Sequence, residues 1–406
     1  MSKGKNECAI YNNLNGKVYS ISIEEYNMLN KCEQNIPLNE ISNINYEFML
    51  NVKNNGLGLD YDGQVFINRE FYGTPKALNK VLKRISLDNL FIELTNECNL
   101  NCEFCNYDNV LYRKTGCKRW ESKFSTLREN EWEKIIDEAI KLNCNNFIII
   151  GGEPFFNYGK LKKIVKYINK NENKRITVFT NGVLLNNDEI IKFIRENNIN
   201  ICLQLLSDNN FTYERICKAK GIFDVVYSAI DKLIENNISH SILFLVNKFN
   251  ENEVERISCA FKNSNIKFEY IYPIKSDFYS HKYIKQMYDR SKNFIKPSLP
   301  LFEKLSNYNC CYKNTLAVSC DGSIYPCIMS RKLYLGNVKD LSLYEVLSTD
   351  QAQEYAKLCK EKIDGCSSCN RKYGCLDCRA LEMSATGSIL GMEFCSFLKE
   401  STDELL

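Results

Sequence analysis

Apolar residues recur along this chain with two periods that trade places. Between residues 88 and 272, short runs of Leu, Ile, Val and Phe alternate with longer segments whose apolar positions fall three and four apart. Leu90–Leu94, Phe147–Ile150, Arg175–Thr180, Ile199–Leu206, Ser241–Val246 and Ile266–Tyr272 predict strands. The segments 128–142, 158–171, 187–197, 222–236 and 250–263 between them predict amphipathic helices. Six such units imply an α/β architecture, a parallel sheet curled into a partial or full barrel. Reactive groups in such barrels collect at the C-terminal ends of strands. The unusual segments of this half all lie there. Cys98, Cys102 and Cys105 follow the first strand, Gly151-Gly152-Glu153-Pro154 the second, Thr180-Asn181-Gly182 the third and Ser207-Asp208 the fourth.

The flanks read differently. In residues 1–85, Val18–Ser22 predicts a strand after an Asn15-Gly16 turn, and Ile23–Cys32, Pro37–Asn43 and Ile44–Asn54 predict helices. Gly56 and Gly58 then break the chain before Tyr61–Asn68, which carries an Asp62-Gly63 turn signal. Strand, three helices and a β-wing make a winged-helix-like unit. Residues 273–308 form a connector containing Pro297 and Pro300. The remainder is turn-rich, cysteine-dense and too poor in periodic segments for a core of its own, so metal sites are expected to supply its stability.

Composition sharpens this. A chain of 406 residues with 44% hydrophobic and 25% charged residues is ordinary globular protein, and a net charge of +3 implies no polyanionic partner. No apolar run reaches the length of a membrane span, and Met1 opens onto Ser2, Lys3 and Gly4 rather than an apolar signal. A cytoplasmic protein, bound neither to membrane nor to nucleic acid, is expected. Cysteine is the outlier: 20 of them stand against two histidines, His240 and His281. In a reducing compartment that excess argues for thiolate ligation of zinc or iron–sulfur clusters rather than disulfides.

Cys98-x3-Cys102-x2-Cys105 puts three thiolates in one loop, one short of a structural zinc site unless Cys117 joins. A four-iron cluster with three protein ligands keeps one iron open. Cys-Asn-Leu-Asn-Cys-Glu-Phe-Cys, with Phe104 as its aromatic, followed by Gly151-Gly152-Glu153-Pro154, resembles the radical S-adenosylmethionine (SAM) superfamily. The resemblance implies that the open iron chelates the amino and carboxylate groups of SAM, that the Gly-Gly-Glu stretch holds the methionyl amine, and that the loops at Asn181 and Ser207 line the SAM pocket. Arg215 is a candidate bidentate partner for the SAM carboxylate, or a solvated cation at a helix start.

A second cysteine set runs from Cys310 to Cys395. Cys366-x2-Cys369 and Cys375-x2-Cys378 alone would suit a zinc ribbon. With Cys311, the Asp321–Cys327 stretch and the distant Cys395, they resemble the SPASM extension of radical SAM enzymes, which carries two auxiliary [4Fe–4S] clusters. That resemblance implies one cluster on Cys366, Cys369, Cys375 and Cys395. It implies another on Cys327 and Cys378 with Cys311 and either Cys310 or Cys320. The family's usual third spacing is Cys-x3-Cys; here two residues separate Cys375 from Cys378.

The resemblance spans the chain: a leader-peptide recognition unit over 1–85, a partial (β/α)6 radical SAM barrel over 86–285, and linker plus SPASM domain over 286–406. The implied enzyme is an oxidoreductase maturing a ribosomally made precursor peptide, bound through its leader and fed electrons by a flavodoxin- or ferredoxin-type donor. A 5′-deoxyadenosyl radical would take hydrogen from the peptide, and a thioether or carbon–carbon crosslink would follow. The rivals are a peptide epimerase, with Cys117 or Cys202 as hydrogen donor; an anaerobic sulfatase-type maturase, against which Ile328 stands where those enzymes carry Asp; and a non-catalytic zinc-binding winged-helix regulator.

Overall fold

The computed structural model describes residues 1–12, 15–61, 84–105, 126–262, 265–270, 295–392 and 395. At the N-terminus, strands β1 (Ser2–Lys3), β2 (Cys8–Asn12) and β3 (Lys17–Ile21) form an antiparallel sheet in that order. The sequence reading missed β1, a two-residue strand, and β2, which buries Cys8, Ala9 and Tyr11 on both faces and so shows no alternation. Helix α1 (Ile23–Glu33) opens on a capping box in which the Ser22 hydroxyl accepts from the Glu25 N–H and the Glu25 carboxylate accepts from the Ser22 N–H. The helix expected over Pro37–Asn43 is only a 3-10 turn, Leu38–Glu40. Pro37 is extended and Asn43 sits at φ +60°, so neither flank can propagate a helix. Helix α2 (Tyr46–Asn54) starts where the Asn45 side chain accepts from the Phe48 N–H. Residues 62–68 of the expected wing lie outside the described residues.

The central region follows the predicted alternation within a few residues: β4 (Asn89–Glu93), α3 (Glu129–Lys141), β5 (Asn146–Ile150), α4 (Tyr158–Ile168), β6 (Arg175–Thr180), α5 (Asp188–Glu196) and β7 (Asn200–Leu205). A short helix the sequence reading lacked, α6 (Asn210–Cys217), precedes α7 (Ile222–Glu235). Then come β8 (His240–Val246), α8 (Val254–Ala260) and β9 (Asn265–Tyr270). The six strands pair in parallel and in chain order, which makes this a partial barrel.

The C-terminal region joins the same sheet rather than standing apart. After α9 (Leu299–Asn307), strand β10 (Thr315–Val318) pairs in parallel with β4, Val318 opposite Ile92. Strands β11 (Ser323–Tyr325) and β12 (Gly336–Asn337) continue antiparallel from β10 and extend the sheet to nine strands. Helices α10 (Leu343–Ser348), α11 (Asp350–Ala356) and α12 (Arg379–Thr386) complete the region.

Two apolar layers result. The outer face of the sheet, with Leu90, Ile92, Phe147 and Ile149, packs on helix residues such as Trp132, Ile136, Leu161 and Ile164. The inner face presents Phe91, Ile148, Ile150, Phe179, Cys202, Leu243 and Ala317, and is covered by Ile328, Met329, Ala380 and Leu381 of the C-terminal region. The cysteine-rich region is therefore packed onto the concave side of the barrel.

Candidate active site

The cysteine loop begins where β4 ends and is bound to the Gly-Gly-Glu loop by backbone. Leu94 N–H donates to Ile150 O at 2.9 Å, Gly152 N–H to Thr95 O at 2.7 Å, and Glu153 N–H to Glu97 O at 2.7 Å. Only glycine permits this approach: a Cβ on Gly151 would lie 2.4 Å from Thr95 O, and one on Gly152 2.0 Å from Glu97 O. Lys160, on α4, holds the same loop from behind by donating to Leu127 O at 2.8 Å and Leu94 O at 3.4 Å. Burial pulls its ammonium pKa below the ordinary value, and Cys320, Glu129 and Glu131 oppose that.

Glu153 is fully buried and its carboxylate is occupied inside the protein. Oε1 accepts from Thr180 Oγ1 at 2.8 Å and from the Phe155 N–H at 3.0 Å, and Oε2 accepts from the Asn181 N–H at 2.8 Å. Glu153 thus joins the ends of β5 and β6. Asn181 carries the chain of contacts to the cysteines, its Nδ2 donating to Asn99 Oδ1 at 2.8 Å and lying 3.7 Å from Cys98 Sγ. Cys98 and Cys105 are half-buried, Cys102 is buried, and Phe104 packs fully buried in the outer core.

Ser207 and Arg215 both contact the segment that follows β8. Ser207 Oγ donates to Glu253 Oε2 at 2.7 Å, which also accepts from the Asp208 N–H at 2.9 Å. Burial pushes the Glu253 carboxyl pKa up, while these two hydrogen bonds pull it down. Asp208 is held by Arg256 through two bonds of 2.8 and 2.9 Å. The Arg215 guanidinium lies over the Phe249 ring, 3.9 Å from its centroid. Thr180 belongs to a strand-end segment singled out in the sequence, whereas Asn99 and Glu253 do not. Asn99 could have been found inside the cysteine motif, but Glu253, in an acidic helix start, carried no signal.

The C-terminal cysteines sort into two neighbourhoods. Cys311, Cys327 and Cys378 lie within electrostatic reach of Tyr312, whose phenol is pushed above its ordinary range by burial first and then by Cys327. Cys310 Sγ is 3.6 Å from Cys311 Sγ. Cys369 lies near Cys375 and Cys395, and its thiol pKa is raised chiefly by burial. Cys366 and Cys375 both lie within reach of Lys360. Cys320 is placed apart, toward Lys160 and Arg331. Among the described residues no three His, Cys, Asp or Glu side chains gather as a single ion would require. The donors gathered here are thiols alone, the ligand type that iron–sulfur clusters take. Cys117, Trp120 and His281 lie outside the described residues, while Trp132 is fully buried and His240 Nδ1 sits 2.8 Å from Ile238 O.

Comparison with known proteins agrees with this layout. Residues 92–258 match the model of the radical SAM superfamily, and residues 310–370 that of SPASM, an iron–sulfur cluster-binding domain. The cysteine-type anaerobic sulfatase-maturating enzyme of Clostridium novyi (strain NT) is 24% identical over 327 residues, 70% of this chain and 85% of that protein. The structure titled native anSMEcpe with bound AdoMet and Kp18Cys peptide superposes with a TM-score of 0.58 at 21% identity, over 78% of this chain and 96% of that one. Streptococcus suis SuiB bound to precursor peptide SuiA gives 0.52 at 16% identity, over 97% of this chain and 99% of that one. No described helix is long and apolar enough to cross a membrane. The cofactors of these two domains are SAM and [4Fe–4S] clusters, which removes the zinc-regulator alternative. With the cysteine loop and the Gly-Gly-Glu loop inside the first matched domain, and Cys310 to Cys369 inside the second with Cys375, Cys378 and Cys395 just beyond it, the chain joins a radical SAM domain to a SPASM extension.

Proposed function

We propose that this enzyme matures a ribosomally made precursor peptide by an oxidative crosslink, a thioether or carbon–carbon bond. The observation that carries the reading is the strand-end assembly in which Glu153 ties the Gly-Gly-Glu loop to Thr180 and Asn181, and Asn181 reaches Asn99 and Cys98. Cys98, Cys102 and Cys105 would hold the SAM-binding cluster, and bound SAM supplies a 5′-deoxyadenosyl radical. The chain's part is to fix the loops around it and exclude water, for which Ile150 and Phe179 stand buried on the inner face. Cys366, Cys369, Cys375 and Cys395 would hold one auxiliary cluster, and Cys311, Cys327 and Cys378 with Cys310 the other. Both peptide-bound relatives point to a peptide substrate. The precursor-peptide enzyme covers 97% of this chain, where the other covers 78%. Residues 1–85 would take the leader as an added strand on the β1–β3 sheet, whose outer strands are β1 and β3. Sulfatase-type maturation is disfavoured because Ile328, buried with Met329 against the inner face, supplies no acid. Epimerisation keeps one observation in its favour, the inner-face position of Cys202.

Iron and sulfide per chain, measured anaerobically on wild type and on a Cys98/Cys102/Cys105→Ala variant, test the cluster assignment. About twelve irons, falling by about four in the variant together with loss of 5′-deoxyadenosine formation, is the expected result. About four irons in wild type would remove the auxiliary clusters. Mass spectrometry of a precursor peptide co-expressed with the enzyme then separates chemistries: a crosslink loses two hydrogens, an epimer keeps its mass.

A further inference from the structure

Between the two C-terminal cysteine neighbourhoods lies a buried chain of charges that the chemistry above does not use. Lys360 is ion-paired with Asp377, Asp377 with Arg379, and Arg379 Nη2 stands 3.8 Å from Glu382 Oε1. The Lys360 side chain is 9% exposed and the other three are 3% or less. Lys360 and Asp377 line one small pocket together with Cys310 and Cys375, one cysteine from each neighbourhood. Lys360 also lies within electrostatic reach of Cys366. At its far end Arg379 Nη1 donates to Ile389 O at 3.1 Å and Gly391 O at 2.8 Å, fixing the segment that leads to Met392 and Cys395. Met392 Sδ in turn lies 3.4 Å from Cys366 Sγ.

Burying two cations and two anions carries a large desolvation cost, and apolar residues of similar volume would serve packing as well or better. Their placement at thiolates suggests another role. A cation held in a low-dielectric site beside an iron–sulfur cluster favours the more negative, reduced form and so raises its potential. Asp377 lines the same pocket and fixes that cation in place, and its own charge offsets part of the field, so the thiolates feel the net effect of the pair.

We propose that Lys360, anchored by Asp377, Arg379 and Glu382, sets the reduction potentials of the auxiliary clusters, most strongly that of the cluster on Cys366, Cys369, Cys375 and Cys395. Lys360 is a positioning residue here; it acts through its charge on the cluster and touches no substrate. The proposal rests on the ligand sets proposed above.

The test is a redox titration followed by electron paramagnetic resonance, with dithionite supplying the one electron each cluster takes up. It is run on full-length protein with Cys98, Cys102 and Cys105 replaced by Ala, so that only auxiliary signals remain. Lys360→Met and Lys360→Gln should both shift the midpoint of one cluster to more negative potential. Lys360→Arg should stay near the parent, and so should Lys357→Met, which removes an exposed cation in the same region. Unmoved midpoints in cluster-replete Met and Gln variants would overturn the proposal. So would loss of clusters in both neutral variants with full retention in Lys360→Arg, since that pattern makes the ion pair a folding element. Failure of the ligand reading itself looks different: the parent would then carry no auxiliary iron at all.

Discussion

At the scale of single residues, the site depends on the buried carboxylate of Glu153. Its two oxygens accept from Phe155, Thr180 and Asn181. Its first task is to hold the loop ends in register. Hydrogen bonds to a charged group contribute about 1.5–3 kcal/mol each. Glu153→Gln keeps the shape but turns an N–H₂ toward at least one donor, so SAM affinity should fall roughly tenfold or more by the same scale. Equilibrium dialysis with SAM on cluster-replete protein reads this, and unchanged affinity would remove Glu153 from the loop-holding role. The neighbouring glycine gives a steric counterpart. Gly152→Ala must displace Glu97 backbone, so SAM cleavage should be abolished. Gly159→Ala, in α4 with open space at its Cβ, should leave cleavage intact and stabilise by up to about 1 kcal/mol. If both variants cleave SAM alike, the close loop approach is not a requirement. The motif residues were legible because glycines, cysteines and a strand end coincide in the chain. Glu253 was not, because its partner Ser207 is 46 residues away and an acidic residue at a helix start has an ordinary local explanation.

At the scale of elements, the alternation of β4–β9 with helices could be read directly because each helix has one apolar stripe and each strand is a nearly continuous apolar run. Strand β10 could not. Its four residues, Thr315, Leu316, Ala317 and Val318, are all buried, and its partner β4 lies more than 200 residues back. Periodicity reports a face exposed to water, and β10 has none. The pairing brings the β11–β12 connection over the barrel, where Arg331 Nη2 meets the buried Glu93 Oε2 at 2.7 Å and lies over the Tyr325 ring, 5.3 Å from its centroid. This ion pair fastens the SPASM region to the end of β4. Removing one partner leaves a buried charge and should cost about 3–5 kcal/mol, whereas replacing both with apolar residues should cost much less. Anaerobic thermal unfolding of Glu93→Ala, Arg331→Met and the Glu93→Leu/Arg331→Met double variant measures it. A double variant as unstable as Glu93→Ala alone would show that the pair is not the fastening.

At the scale of the whole molecule, the N-terminal sheet is not a separate bead on the chain. Its strand β2 docks on the cysteine-rich segment that runs from Cys366 to Cys375. Lys5 N–H donates to Ser368 O at 2.8 Å, and Tyr11 Oη donates to Asn370 O at 2.9 Å. The Tyr11 ring packs edge-on against Tyr373 at 5.8 Å and tilted on Phe302 of α9 at 5.3 Å, and those two rings meet each other at 4.8 Å. Ile295 N–H closes the knot on Gly374 O at 2.8 Å. A turn-rich segment with little periodic core gains order from partners of this kind, and each aromatic pair adds about 0.5–1.5 kcal/mol beyond area burial. Tyr11→Ala therefore loosens the loop that carries Cys366, Cys369 and Cys375 although Tyr11 lies more than 350 residues away in sequence. Loss of iron to a chelator under anaerobic conditions should become several-fold faster for one auxiliary cluster, while the SAM-binding cluster, held by the strand-end loops, keeps its rate. Tyr11→Phe, which retains both ring contacts and loses only the bond to Asn370, should fall between. Equal rates in all three proteins would mean that β2 merely lies against the cysteine segment. A graded order would mean that the N-terminal sheet, proposed above to receive the leader, also holds an auxiliary cluster in shape.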